Sequence, residues 1–123
     1  MRQAKFVLIG LMVVTLCGIA FAGMKEFGVA NSYQVSFVEK VWVGNTMLPQ
    51  GDYQIRHLME GQDHIMVFRQ LNVRKPVEAR AKCTLISLPA KAVNTEKVYT
   101  MNRANERVLS ELIFKGDRAK HVF

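Results

Sequence analysis

Residues 77–85 read Val77-Glu78-Ala79-Arg80-Ala81-Lys82-Cys83-Thr84-Leu85. Val77, Ala79, Ala81, Cys83 and Leu85 share one parity; Glu78, Arg80, Lys82 and Thr84 share the other. Successive side chains of an extended chain point to opposite faces, so this stretch is a strand with an apolar face toward a core and a charged face toward water. A helix would spread the same apolar groups around every face and leave no stripe to bury. The alternation recurs on both sides. Tyr33, Val35 and Phe37 alternate with Gln34 and Ser36, and Val108, Ser110, Leu112 and Phe114 oppose Leu109, Glu111, Ile113 and Lys115. Further strands are expected over residues 41–43, 53–59, 64–70, 97–101 and 118–123.

Turn chemistry separates these runs. Leu48-Pro49-Gln50-Gly51 suits a type I turn, with Pro presetting φ at the second position and Gly closing the fourth. Pro49, Gly51 and Tyr53 are therefore the structural residues of a hairpin there. Gly44-Asn45 and Glu60-Gly61-Gln62-Asp63 are hairpin signals too. The Asn residues of the 102–105 segment tolerate a tight turn, and Gly116-Asp117 would return the chain to a last strand. Pro89 keeps residues 88–96 out of a central strand, so they read as a loop or crossover. About seven closely spaced strands without a helical pattern predict an all-β fold, a single antiparallel β-sandwich or a small partly open barrel. It occupies one domain over residues 23–123, with no internal repeat.

The first 22 residues read differently. Arg2 and Lys5 precede an uncharged, mostly apolar stretch over residues 6–20, and Ala20-Phe21-Ala22 offers the small side chains a signal peptidase needs. Fifteen residues of helix span about 22 Å, short of a hydrocarbon core of about 30 Å. A signal-peptide helix cut after Ala22 is expected, which sends the protein to the periplasm or outside the cell with no permanent membrane span. A lipid-anchored variant does not fit, because Leu16 stands where a small residue must precede Cys17.

Cleavage changes the inventory. Losing Arg2 and Lys5 lowers the 17 basic side chains to 15, against 10 acidic ones. Cys17 leaves as well, so Cys83 is the one remaining thiol and no internal disulfide can form. The surplus positive charge is spread along the chain, densest from Arg69 to Lys82, and is interrupted by apolar positions. An exported protein of this kind is expected to meet anionic envelope polymers or another protein, not nucleic acid. Oligomers could form through strand edges, although edge lysines guard against that. A transmembrane barrel is excluded on length, since eight strands of roughly 9–11 residues would consume nearly the whole domain.

The stretch Val43-Gly44-Asn45-Thr46-Met47-Leu48-Pro49-Gln50-Gly51-Asp52-Tyr53-Gln54-Ile55 resembles the G-x-x-x-L-P-x-G-x-Y-x-V hairpin of small secreted β-rich bacterial proteins, mostly of unknown function. Lys82-Cys83-Thr84-Leu85 and Asn105-Glu106-Arg107-Val108-Leu109 have the same character. The resemblance implies an exported all-β domain and supplies no catalytic residue.

The sequence holds no G-x-S-x-G elbow, H-E-x-x-H, P-loop, G-x-G-x-x-G or C-x-x-C. No enzyme activity and no cofactor are therefore expected from a motif. Cys83, on the apolar parity, reads as an inert small hydrophobe. One constellation stands out. If the loop from Glu60 to Asp63 has an even length, Met59 lies opposite His64 and His57 opposite Met66, all four on one face. Thioether and imidazole donors in an oxidising compartment suit copper(I). An odd loop would instead put His57 and His64 on opposite faces, and it would align Tyr53 and Ile55 with Ile65 and Val67, which favours the odd length. Met59 and Met66 then read as core filler, and His121, facing Leu112, as a hydrogen-bonded or rim histidine. Trp42 and Phe68 are core aromatics or ligand contacts. The expected function is an exported non-enzymatic binding or structural module of the envelope or the exterior. The alternative is a small His/Met metal-binding protein, or a hydrolase whose non-standard site needs His57, His64, His121 or Cys83 to converge.

Overall fold

Nine strands and no helix make up residues 28–123, the part of the chain that the structure, a computed structural model, describes. The signal-peptide helix and its cut after Ala22 lie outside the described residues. The strands are β1 (Ser32–Phe37), β2 (Val41–Val43), β3 (Thr46–Leu48), β4 (Gly51–Glu60), β5 (Asp63–Gln70), β6 (Glu78–Ser87), β7 (Glu96–Met101), β8 (Arg107–Ile113) and β9 (Ala119–Val122). They form one sheet in the order β1-β4-β5-β6-β9-β8-β2-β3, with β7 paired to β8. Eight of the nine fall on runs that read as strands in the sequence; the ninth, β3, is the second arm of the hairpin closed by Gly44 and Asn45. Pairing is antiparallel except between β2 and β8, which meet in parallel at Trp42 and Val108.

The parity of residues 77–85 is the parity of the structure. Ala79 and Cys83 are buried, while Glu78, Arg80, Lys82 and Thr84 are exposed. β6 is long enough to serve two neighbours. Its first part, from Glu78 to Cys83, pairs with β5, and its second, from Thr84 to Ser87, pairs with β9. The two halves of the molecule are thus one bent sheet joined by a strand that changes partner, not two separate layers. Cys83 sits at the changeover.

The β4–β5 hairpin has the even loop. Register runs from Glu60 opposite Asp63 to Tyr53 opposite Gln70, with Gly61 and Gln62 as the two turn residues. Gly61 takes φ +62°, as the first central position of a type II′ turn requires, and the twist of that turn matches the strands it joins. Apolar alignment favoured the odd loop only on the assumption that β5 has one buried face. Both of its faces are buried: Met66 and Phe68 on one, Ile65 and Val67 on the other. A one-residue slip would gain no apolar burial and would lose the turn.

The Pro49–Gly51 turn is a corner and not a hairpin. β3 pairs with β2, and β4 pairs with β1 and β5, so the chain leaves one part of the sheet for another here. Gly51 sits at φ +149°, where a side chain is rarely tolerated. The buried Tyr53 reaches back four residues, its hydroxyl donating to the Pro49 carbonyl at 2.6 Å. Replacing Tyr53 with Phe should lower stability by about 1–2 kcal/mol, because the carbonyl loses its donor in a half-buried setting. Urea unfolding of Y53F measures this, and a loss near zero would mean the corner is held by packing alone.

β8 departs from simple alternation. Val98 faces Glu111 but Tyr99 faces Leu109, so Ser110 is an extra residue on β8. The bulge moves burial from Leu109 to Leu112 and Phe114, which no single parity would allow. The common core unites Phe37, Val41, Val43, Leu48, Tyr53 and Phe68 with Leu112, so the inner faces of both halves share one interior. Phe68 is wholly buried within it; Trp42 is half-buried, its indole N–H donating to Glu106 at 3.2 Å.

Candidate metal centre

Four strands and a partner change bring the chemistry-bearing residues to one inward face. On β6, Cys83 is directly opposite His64 of β5. His64 is opposite Met59 of β4, and His57 is two residues along β4, on the same face and opposite Met66. On the other side of β6, His121 of β9 faces Leu85 and Leu112 and is therefore diagonal to Cys83. One ligand atom from each of His57, Cys83 and His121 lies within 4.8 Å of the others. Cys83 Sγ and His121 Nδ1 are 3.7 Å apart. Donors on one ion with metal–nitrogen bonds near 2.0 Å and a metal–sulfur bond near 2.3 Å are separated by about 3.6–3.8 Å, so this pair already has the spacing of shared coordination.

The cluster is deep. His57 is 2 % exposed, Cys83 8 % and His121 0 %. Burial holds the His57 imidazole down at about 4, with His64 adding to the effect. Burial likewise holds His121 at about 3, with His57 and His64 contributing. Both rings are therefore neutral across the physiological range, the form in which imidazole can donate a lone pair. Burial pushes the Cys83 thiol up to about 11, so it holds its proton until a cation displaces it.

The second ring nitrogens show how the ligands would be oriented. His57 Nε2 and His64 Nδ1 share a hydrogen bond at 3.1 Å, and His57 Nδ1, buried, has no hydrogen-bond partner. His121 turns Nδ1 toward the thiol, while its buried Nε2 has no hydrogen bond and lies 3.9 Å from Asp117 Oδ2. Asp117 is itself held by the Tyr33 hydroxyl, which donates to Oδ2 at 2.6 Å. Its pKa is raised by burial, against the lowering effect of that hydrogen bond. A carboxylate behind a histidine that faces a metal fixes the tautomer and strengthens the ligand. The ring of Tyr33 stacks on Phe114 at 3.7 Å between centroids, and both meet the His121 edge at 5.7 Å. Two backbone bonds pin the leading segment beside the cluster: His57 N–H donates to the Asn31 carbonyl and Arg118 N–H to that of Gly28, each at 2.8 Å.

The four residues singled out in the sequence, His57, Met59, His64 and Met66, share one face of the β4–β5 pair. Met66 is wholly buried opposite His57, and Met59 is 39 % exposed. Besides His64, His57 comes near Cys83, read as an inert small hydrophobe, and His121, read as a hydrogen-bonded or rim histidine; His121 is completely buried, with Nδ1 in hydrogen-bond contact with the Cys83 thiol. Their inward parity was visible; their meeting across β6 and β9 was not. Three of the five cations in the densest basic run are engaged with acids: Arg69 with Glu78, Arg80 with Glu60 and Lys82 with Asp63. No family model matches the chain, and neither a curated protein nor a solved structure does.

Proposed function

We propose that the chain is an exported, non-enzymatic binding module that holds a single transition-metal ion between His57, Cys83 and His121. One observation carries the reading: two buried ring nitrogens, His57 Nδ1 and His121 Nε2, lack hydrogen-bond partners beside a buried free thiol. Leaving such a group unpartnered costs about 1–3 kcal/mol, and here two of them flank a buried thiol whose one partner is His121 Nδ1. An ion taken up by His57 Nδ1, Cys83 Sγ and His121 Nδ1 leaves Nε2–H of His57 for His64 and Nε2–H of His121 for Asp117. Of the two orphaned nitrogens the ion takes His57 Nδ1, while His121 Nε2 keeps Asp117 Oδ2 3.9 Å behind it. The bent sheet, closed on one core through β6, supports reading the body as a partly open barrel with the site at its bend. Pairing of three of the five cations of the densest run with acids weighs against anionic envelope polymers as the main ligand.

Metal content of the purified protein after dialysis against Zn(II), or against Cu(I) under reducing conditions, tests this. One ion per chain should be retained and should raise the thermal midpoint. Cys83→Ser and His121→Gln should lose it, and Asp117→Asn should bind on the order of 10- to 100-fold more weakly. Failure of the parent protein to retain either ion would overturn the proposal.

A further inference from the structure

The donors form a graded series from surface to interior. Met59 is 39 % exposed, His64 is half-buried, and Cys83 and His121 are 8 % and 0 % exposed. Met59, His64 and Cys83 lie directly across from one another on β4, β5 and β6, in one row perpendicular to the strands. Facing Cβ atoms in such a row are about 5 Å apart, so a thioether and an imidazole meet where the row leaves the core. The far side of the centre is closed, because Tyr33 and Phe114 stack against each other and cover the His121 ring.

The geometry points to a cuprous ion as the cargo, received at an outer station of Met59 and His64 and passed inward to His57, Cys83 and His121. This inference rests on the metal-binding reading above and names the ion and its route. A thioether is a ligand for a soft cation and a poor one for Zn(II), which also demands four donors where the interior offers three. Charge points the same way. Cu(I) displaces the thiol proton, the S–H bond breaking as a Cu–S bond forms and the proton leaving to solvent, with no electron transferred. A monovalent cation and one thiolate are together neutral. A divalent ion with one thiolate would leave one positive charge in this apolar setting, to be met by Asp117, which stands 3.9 Å behind the His121 ring.

Cu(I) exchange between the purified protein and a chromophoric Cu(I) chelator, under anaerobic reducing conditions, is the test, with Zn(II) run in parallel. Met59→Leu keeps the side-chain volume and removes the sulfur; thermal unfolding checks that it folds. Loading and release by M59L should both slow on the order of tenfold, so that Kd moves much less than either rate. His64→Gln should slow exchange and also weaken binding. Unchanged exchange in M59L would overturn the route while leaving the metal centre standing. Preference of the parent protein for Zn(II) over Cu(I) would overturn the cuprous assignment alone. Retention of no ion would remove the centre itself, and this inference with it.

Discussion

Chelator-treated protein should lose several kcal/mol of stability as the pH falls from about 7 to about 4. The two buried histidines set the sign. In the folded chain His57 titrates at about 4 and His121 at about 3, both held down first by burial. In the unfolded chain each returns to about 6.5. Below that value the unfolded state takes up protons that the folded state refuses, so stability is present above about 6.5 and drains away as the pH drops toward the folded values. Each unit of separation is worth about 1.4 kcal/mol, and total stabilities are typically about 5–15 kcal/mol, so the loss is a large fraction of what holds the domain together. Asp117 works in the opposite sense, since burial raises its pKa and it gains a proton more readily in the folded state; its Tyr33 hydrogen bond limits that gain. His64 and the Cys83 thiol also face the two rings. Denaturant midpoints at pH 7, 5.5 and 4 measure the slope. His57→Gln and His121→Gln should each flatten it, and a parent protein equally stable at pH 7 and pH 4 would show that the rings can protonate without leaving the fold.

The same histidines mark where sequence reading stops. Parity is local, so the inward faces of β6 and β1 follow from alternation alone, and the tight turn at Gly44 follows from its Gly-Asn pair. The neighbour of each face is not local. Cys83 and His121 are 38 residues apart, and they meet because β6 leaves β5 for β9 at that point. Nothing in the alternation of residues 77–85 signals a change of partner, because the strand's own pattern is the same on both sides of it. The β8 bulge at Ser110 is hidden for a similar reason: an extra residue shows only against the strand it pairs with. The misjudged loop length came from treating β5 as half-buried. A central strand with Ile65 and Val67 on one face and Met66 and Phe68 on the other carries no alternation by which to set its register. The turn residues, and in particular Gly61, were the better guide.

Phe68→Ala should be the most damaging single truncation outside the centre, at about 3–5 kcal/mol. Phe68 is wholly buried on β5, between Ile55 of β4 and Ala79 of β6. Its ring lies 6.5 Å from that of Phe37 and 5.9 Å from that of Phe123, and so bridges β1 to the chain's last residue through the core. Ala79 is too small to move into the vacated volume, and strands paired on both sides hold the backbone of β5 in place. The lost aromatic surface is then compounded by a cavity that cannot collapse. Since Phe68 and Met66 share the face that carries His64, the damage should also reach the centre, and metal affinity should fall along with stability. Phe68→Leu, which keeps most of the volume, should cost distinctly less. Val38→Ala, at a position 69 % exposed, should cost almost nothing. Urea unfolding of the three variants orders them. A loss below about 1.5 kcal/mol for F68A would mean that the interior of the bent sheet relaxes around the gap, and that its two halves are less firmly joined than the shared core implies.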